Sequence, residues 1–362
     1  DCCQSGFNYL ELKIGCAAND PVADLRAAKE ELPIFCGALA STPRGKGVGA
    51  MQYERIMPAA NELVFRLLST LIVLAATLAI IPFAFGELRA EPSDVTGIET
   101  GEDAFVFSGW QGPSMTVWTY VPPSVDRQTA PVTFIMHGAR RDPERYRRQW
   151  IDKADKGGFI ILAPEFSRDD FPRAQGYNLG GTIDLQTGEW RDEALWSFSA
   201  IEPIFDEVVE RLGGSQLRYT IYGHSAGSQF VHRFLFFKPD ARVKRYLAAN
   251  AGWYTFADLE TDFPFGLGGL PIGEEDLRAA LAKDVVLLLG DQDSDPEHTL
   301  LNRSDGAMLQ GPHRFARGQA FFEQAQTIAA ENGWQFGWSL RVVEGVAHSN
   351  GGMAAGAYDL IE

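Results

Sequence analysis

The chain has 362 residues, of which 45% are hydrophobic and 22% are charged, as in an ordinary globular protein. Its formal net charge of −16 at pH 7 argues against nucleic acids and anionic membrane surfaces as partners, because both would repel it. The sequence contains no basic stripe, internal repeat or low-complexity tract, so a folded domain without a polyanion-binding surface is expected.

The N-terminal part is dominated by one apolar run at residues 63–85, which contains a single charge, Arg66. Met57 precedes the run and small residues cluster at its far end, so 57–90 is predicted to be a signal peptide. Cleavage there makes the protein secreted or periplasmic. The run is longer than the roughly 7–15 residues of a usual signal core and approaches the roughly 17–25 of a membrane helix. A retained N-terminal membrane anchor, with the following domain outside the cytoplasm, is therefore the alternative.

Residues 1–56 contain all four cysteines and have no clear place before a signal peptide. We expect translation to start at Met51 or Met57, which makes 1–56 upstream read-through or a disordered segment. The remaining region, 91–362, is long enough for one α/β domain. Because this region contains no cysteine, its core rather than disulfides must hold it together.

Strand patterns alternate with helix patterns through residues 91–362, which predicts a parallel sheet. The predicted strands lie at 104–107, 115–121, 131–136, 159–162, 217–222, 243–249, 284–289 and 338–343. The predicted helices lie at 142–156, at 192–212, directly after 225 and at 310–332. Two further stretches, 165–191 and 263–273, are predicted loops, and the second has the glycine and proline content of an insertion or lid.

The most informative motif is Gly223-His224-Ser225-Ala226-Gly227, which lies between a predicted strand and a helix pattern. A Gly-x-Ser-x-Gly turn in this context is typical of a nucleophile elbow, in which a strained turn exposes the serine Oγ. The two glycines remove side chains where strand and helix would collide. The helix start leaves the backbone N–H of Ala226 free to bind a developing oxyanion.

A serine nucleophile needs a base and an acid that orients it, and in this arrangement the chain order is serine, acid, histidine. Three aspartates, Asp291, Asp293 and Asp295, follow one predicted strand, and His348 follows a later one. We predict His348 as the base and Asp293 as the acid, because a carboxylate just past the strand end can reach the histidine loop. Asp291 and Asp295 stay open as alternatives.

The same aspartates match a calcium-binding loop only in part. A loop that starts at Asp291 needs glycine at its sixth position and glutamate at its twelfth. This chain has Pro296 and Asn302 there. Neither a metal nor another cofactor is predicted.

A second oxyanion donor is expected from the loop after an earlier strand. His137-Gly138-Ala139-Arg140 follows the strand predicted at 131–136, and Gly138 permits an unusual backbone path. We predict that the amide of Ala139 or Arg140 faces the serine. A plain strand-to-helix turn is the alternative.

Aromatic residues at a strand end provide the candidate substrate contacts. Trp253 and Tyr254 follow a predicted strand, at the edge where ligands bind in open α/β sheets. We predict these two residues and His137 as substrate contacts, with core packing as the alternative. Arg140 and Arg141 are candidates for binding a substrate carboxylate, and ion pairing with neighbouring acidic residues is the competing expectation.

Together, these motifs give the chain a resemblance to a known family. The segments His137-Gly138-Ala139-Arg140, Gly223-His224-Ser225-Ala226-Gly227, Gly290-Asp291-Gln292-Asp293 and His348 resemble those of α/β-hydrolases of the esterase and polyhydroxybutyrate-depolymerase-like group, over about 100–360. The resemblance implies an α/β-hydrolase fold with a mostly parallel central sheet, helices on both faces and hydrolysis of carboxylic esters. It also places the acid at Asp293. Secreted polymer esterases of this kind often carry disulfides, which 91–362 lacks, so a polymer substrate is less well supported.

The predicted reaction is hydrolysis of a small-molecule or polymeric ester through an acyl-enzyme at Ser225. It needs no cofactor and no nucleic acid, and a membrane is contacted only through the N-terminal anchor, if retained. A peptidase or amidase with the same three residues is one alternative, and a non-catalytic secreted binding protein on the same fold is another. The acyl-chain length and the oligomeric state stay open.

Overall fold

One eight-stranded sheet forms the centre of the structure, a computed structural model that describes residues 97–184 and 187–361. The strands are β1 (Gly101–Phe107), β2 (Met115–Val121), β3 (Val132–Met136), β4 (Ile160–Pro164), β5 (Tyr219–His224), β6 (Val243–Ala249), β7 (Val285–Gly290) and β8 (Trp338–Val343). Their order across the sheet is β1-β2-β4-β3-β5-β6-β7-β8. Only the pairs β1–β2 and β2–β4 are antiparallel within this sheet. The six strands from β3 to β8 are parallel to one another, which confirms the predicted parallel sheet for them.

Helices connect the strands and pack on the sheet. They are α1 (Pro143–Gly157), α2 (Arg173–Gly176), α3 (Ile201–Leu212), α4 (Ala226–Phe237), α5 (Glu274–Leu281), α6 (Asp305–Leu309), α7 (Arg314–Glu331) and α8 (Asn350–Ala355). Pro143 begins α1 because its missing N–H would be unpaired there in any case. Gly158 and Gly213 end α1 and α3 in the left-handed conformation, with φ of 70° and 59°.

Both faces of the central strands β3, β4, β5 and β7 are buried. In β3, Phe134 and Met136 pack in the core under α3 and α4, whereas Ile135 between them packs in a second core under α1 and α8. Side chains alternate between the two faces because a strand has a period of two residues. All five residues of β3 are buried, as expected for a parallel strand covered by helices on both sides.

Several predicted helices differ from those observed. The pattern at 192–212 forms two 3₁₀ turns before the regular helix α3 starts at Ile201. The helix predicted at 310–332 begins later, at Arg314, because Gly311 (φ 143°) has a non-helical backbone and the His313 side chain then caps α7. The short helices α5 and α8 were not predicted, since neither is long enough to show a clear helical period.

The predictions for 1–56 and for a signal peptide or anchor at 57–90 lie outside the described residues. Among residues 97–184 and 187–361, no helix combines the length and the hydrophobicity that a membrane span requires.

Candidate active site

Ser225 occupies the sharp turn between β5 and α4. Its backbone has φ 59° and ψ −115°, a conformation that a residue with a side chain adopts only when its surroundings hold it there. The Ser225 N–H donates to the carbonyl of Ala249 at 3.0 Å, which ties the turn to the end of β6. The strained turn therefore has fixed support from the neighbouring strand.

The two glycines of the motif are required by close backbone contacts. A Cβ atom on Gly223 would lie 2.1 Å from the carbonyl oxygen of Gly227. A Cβ atom on Gly227 would lie 2.1 Å from the carbonyl oxygen of Met136, at the end of β3. Real Cβ atoms do not approach other atoms so closely, so the second glycine lets α4 pack directly against β3.

Ser225, His348 and Asp293 form one chain of hydrogen bonds. His348 Nε2 lies 3.0 Å from Ser225 Oγ, and His348 Nδ1 lies 2.7 Å from Asp293 Oδ2. Because an ionised carboxylate only accepts, Nδ1 carries the hydrogen and Nε2 is left to accept from the serine hydroxyl. This is the geometry in which a histidine removes the proton of a serine.

The other two aspartates of the acid loop have different partners. Asp291 accepts from the N–H of Gly345 at 2.8 Å, and Asp295 accepts from the N–H of Glu297 at 2.8 Å. Among the three candidates, the hydrogen bond to His348 is made by Asp293.

Arg314 is a second partner of Asp293. Its Nη1 donates to Asp293 Oδ1 at 3.2 Å, and the two side chains are 2% and 3% exposed. The N–H of Phe315 also donates to the carbonyl of Asp293, at 3.1 Å. The buried carboxylate is thus held from one side by Arg314 and from the other by His348.

The loop after β3 borders the serine. Gly138, Ala139 and Arg140 line the same pocket as Ser225. Among the described residues, no acceptor takes a hydrogen bond from the amides of Ala139 or Arg140, and Ala226 starts α4, where amides have no intrahelical partner. Within the described part of the chain, these amides are therefore without an acceptor, and the prediction that they bind an oxyanion stays a prediction.

Arg141 anchors this loop. Its guanidinium donates to four backbone carbonyls, those of Phe166, Ser167, Phe171 and Arg173, and lies 4.3 Å from the centre of the Tyr177 ring. Burial lowers the pKa of Arg141 to about 10, which leaves it charged at neutral pH. Both Nη atoms are already occupied by carbonyls, which directs the guanidinium into the loop rather than toward a substrate carboxylate.

Tyr146 and His224 complete the wall of the site. The Tyr146 hydroxyl lies 3.0 Å from His224 Nδ1, and the His224 ring lies 4.7 Å from that of His348. Burial, followed by the nearby charges of His348, Arg314 and Arg145, lowers the pKa of His224 well below its usual value. A neutral imidazole therefore faces His348 at neutral pH.

The site opens into a cavity of about 330 Å³. Its walls come from the β3 loop, α1, the elbow, the loop after Asp293 and the histidine loop: Gly138, Ala139, Arg140, Asp142, Arg145, Tyr146, Gln149, His224, Ser225, His298, Thr299, Leu300, His348, Ser349 and Asn350.

The chain is similar to two solved hydrolases. Poly(aspartic acid) hydrolase-1 from Sphingomonas sp. KT-1 shares 43% sequence identity and has a TM-score of 0.71, over 73% of this chain and 99% of that chain. The chain therefore belongs to the α/β-hydrolases. LpqC, a poly(3-hydroxybutyrate) depolymerase from Bordetella parapertussis, shares 33% sequence identity with the present chain. Its TM-score is 0.67, over 72% of this chain and 90% of the LpqC chain. No protein-family model and no curated protein matches the sequence.

These similarities confirm the predicted family, the esterase group with depolymerase-like members, and the predicted α/β-hydrolase fold. They also show that the protein is a hydrolase, which excludes the alternative of a non-catalytic binding protein on the same fold.

Two predicted substrate contacts of the hydrolase lie in its interior. Trp253 and Tyr254 are 6% and 0% exposed, and neither lines the cavity. Trp253 packs against Phe265, and Tyr254 stacks on Phe321 of α7. This corrects the prediction, because the segment around Phe265 and helix α7 cover the end of β6 and leave both aromatic rings in the core.

His137 is also corrected from a substrate contact to a structural residue. It is 0% exposed, and its Nε2 accepts from the N–H of Phe166 at 3.1 Å while Nδ1 lies 3.2 Å from the carbonyl of Gly138. Burial, followed by the charge of Arg141, lowers its pKa to about 3. Both ring nitrogens hold the loop rather than face the cavity.

Asn250 links the acid loop to the histidine loop, and sequence reasoning missed it. Its Oδ1 accepts from the N–H of Gly290 at 2.8 Å, and its Nδ2 donates to the carbonyl of Ala347 at 3.3 Å. Asn250 has a φ of 48°, so it is, like Ser225, a residue other than glycine with a positive φ. A polar residue directly after an apolar strand was the available signal. Arg314 gave no such signal, because its pairing with Asp293 depends on how α7 packs.

Among residues 97–184 and 187–361, no group of three histidine, cysteine or acidic side chains has the arrangement of a metal site.

Proposed function

We propose that the protein hydrolyses carboxylic esters through an acyl-enzyme formed on Ser225. The observation that supports this most directly is the hydrogen-bonded chain from Ser225 Oγ to His348 (3.0 Å) and from His348 to Asp293 (2.7 Å), open to a cavity.

In the first step, His348 Nε2 takes the hydroxyl proton as Ser225 Oγ attacks the ester carbonyl carbon. The carbonyl oxygen becomes an oxyanion that the amides of Ala226 and of Ala139 or Arg140 stabilise. The bond to the leaving alcohol then breaks, and the imidazolium of His348 gives its proton to that oxygen. Asp293 holds the His348 tautomer and stabilises the imidazolium.

In the second step, His348 removes a proton from water, and the resulting hydroxide attacks the acyl carbon. A second oxyanion forms at the same amides, the bond to Ser225 Oγ breaks, and His348 returns the proton to the serine. Each step uses a side chain or a backbone amide of this chain, so the proposed reaction needs no cofactor. We further propose that the enzyme works outside the cytoplasm, as the apolar run before residue 91 predicts.

Replacement of the nucleophile tests this proposal. Ser225→Ala should lower the rate of hydrolysis of a short p-nitrophenyl ester by at least about 10⁴-fold and abolish labelling by a fluorophosphonate. The variant should still unfold cooperatively in urea, as the wild type does. Ser228→Ala, one turn along α4, is the matched control and should be labelled normally. Full activity in Ser225→Ala, or labelling at another residue, contradicts the proposal.

A second candidate is hydrolysis of amides in a carboxylate-bearing polymer. The relative with 43% identity is a hydrolase of poly(aspartic acid), a polymer joined by amide bonds. In this chain Arg140 lines the cavity beside Ser225 and has no ion-pair partner among the described residues. Its acidic neighbours are already paired, Asp142 with Arg145 and Glu144 with Arg148. A free guanidinium at this position suits a substrate carboxylate.

A substrate panel separates the two candidates. If the second holds, wild-type protein cleaves oligo(aspartic acid), and Arg140→Gln raises KM for this substrate but not for its neutral methyl-ester derivative. Arg148→Gln, on the exposed face of α1, is the control and should change neither. If the protein cleaves simple esters and no amide, the second candidate is excluded and ester hydrolysis is the activity.

A further inference from the structure

His298 lies in the segment after Asp293 and has no part in the reaction described above. It lines the cavity together with Thr299 and Leu300. Its ring approaches the His348 ring edge to face, with centres 5.6 Å apart and planes at 66°. The side chain is half-buried, so one edge reaches the space that a substrate would fill.

The hydrogen-bond partners of His298 fix which nitrogen carries its hydrogen. The N–H of Leu300 lies 3.1 Å from His298 Nδ1, and Nη2 of Arg314 lies 3.2 Å from the same atom. An amide N–H and a guanidinium only donate, so Nδ1 must be the acceptor. The hydrogen of the neutral ring is therefore on Nε2.

Within residues 97–184 and 187–361, no side chain or carbonyl accepts a hydrogen bond from His298 Nε2. Burial, followed by the charges of Arg314 and His348, lowers the pKa of His298. The ring is thus a neutral donor with one unused N–H at the cavity wall. Arg314 orients it and, through its other nitrogen, orients Asp293 as well.

The neighbours of His298 indicate which part of a substrate it faces. In the proposed reaction, the carbonyl oxygen turns to the amides of the β3 loop, and the leaving oxygen turns to His348, which protonates it. A ring that packs against His348 borders the leaving-group side. His298 should therefore affect the first step, in which the alcohol leaves, and not the hydrolysis of the acyl group that remains on Ser225.

We propose that His298 is a specificity-determining residue whose Nε2–H donates a hydrogen bond to an acceptor on the leaving alcohol. It favours esters whose alcohol carries a carbonyl or carboxylate a few bonds from the scissile oxygen. This inference rests on the proposed function, because it needs an ester cleaved at Ser225. One neutral hydrogen bond should change the relative kcat/KM by about 2- to 10-fold.

Two esters with the same acyl group isolate this contact. Methyl 3-acetoxybutanoate carries a carbonyl in its alcohol portion, and 2-hexyl acetate has the same shape without it. Cleavage of the acetate ester gives the same acetyl-enzyme from both, so the second step is common to them. Because the first substrate also has a methyl ester, the reaction that is followed is the release of acetate. The quantity to measure is the ratio of kcat/KM for the first ester to that for the second.

Two substitutions separate donation from simple packing. In His298→Asn the amide oxygen replaces Nδ1 and keeps the acceptor for Arg314, but the Nε2–H donor is lost. In His298→Gln the amide nitrogen replaces Nε2 and keeps the donor. We expect the ratio to fall about 2- to 10-fold in His298→Asn and to stay near the wild-type value in His298→Gln. His313→Asn, which keeps the cap of α7, is the control and should leave the ratio unchanged.

The inference is overturned if His298→Asn keeps the wild-type ratio, or if His298→Gln lowers it more than His298→Asn does. The second result would mean that the Nδ1 contact with Arg314 matters and the donor does not. Wild-type protein that cleaves neither ester and resists fluorophosphonate would instead refute the proposed function itself.

Discussion

Replacement of Gly227 by alanine places one methyl group where backbone atoms already lie. The new Cβ would be 2.1 Å from the carbonyl oxygen of Met136 and 2.9 Å from that of His137. Real Cβ atoms stay beyond 3.0 Å, so α4 and the end of β3 must separate by about 1 Å or more. Neither contact atom belongs to a side chain that can rotate away.

This separation affects both stability and activity. Overpacking of a rigid site typically costs about 1–3 kcal/mol, and we expect the upper end because both contacts are with backbone. The end of β3 leads directly into Gly138 and Ala139, so the predicted oxyanion donors move away from Ser225. A misplacement of about 1 Å can lower kcat by about 10²-fold.

Urea denaturation and hydrolysis of a p-nitrophenyl ester measure the two effects. Gly351→Ala is the matched control, because its Cβ would meet nothing closer than 3.7 Å and it lies within α8. Alanine there should raise the free energy of unfolding by about 0.5–1 kcal/mol. If Gly227→Ala unfolds like the wild type and keeps its kcat, the close packing of the elbow against β3 is required for neither stability nor activity.

Two further predictions concern buried ionisable side chains. Arg314→Gln leaves the Asp293 carboxylate buried without its cation, so the free energy of unfolding, measured by urea denaturation, should fall by about 3–5 kcal/mol and kcat should fall too. Arg314→Lys keeps the charge and should lose less of both, so equal losses in the two variants would contradict the role of the charge. His137 has a pKa of about 3 in the folded protein against an ordinary 6.5, so the unfolded chain takes up the proton first as the pH falls. Its contribution to stability is complete above about pH 6.5 and is lost toward pH 3, about 2 kcal/mol between pH 7 and 5. His137→Gln should show a smaller loss over that range, and an unchanged pH dependence would refute the assignment.

The sequence was informative where function depends on local chain geometry. The elbow at Ser225 is set by glycines two residues away on each side. The strand before Asp293 is an apolar run, and the strand before His348 is a shorter apolar pattern interrupted by Ser339 and Arg341. Each such feature can be recognised without knowing how distant segments pack. For the same reason the bounds of β2, β6 and β8 were predicted to the residue.

Features that depend on packing between distant segments were missed or misread. Arg314 lies 21 residues from Asp293 and meets it because α7 starts beside the acid loop. Trp253 and Tyr254 occupy the strand end that the fold uses for ligands, but the chain folds back over them. The position of an aromatic residue just after a strand therefore did not indicate whether its side chain is accessible to a substrate.

The segment from 294 to 313 leaves the acid residue and returns to it. The N–H of Phe315 donates to the carbonyl of Asp293, and Arg314 binds its carboxylate, so these two contacts close the loop at its base. His298, Thr299 and Leu300, which form one wall of the cavity, all lie within it. The wall that meets the substrate can thus be exchanged, in evolution or by loop grafting, while the proton-transfer chain stays in place. Relatives with the same reaction and different substrates are expected to differ most in this segment.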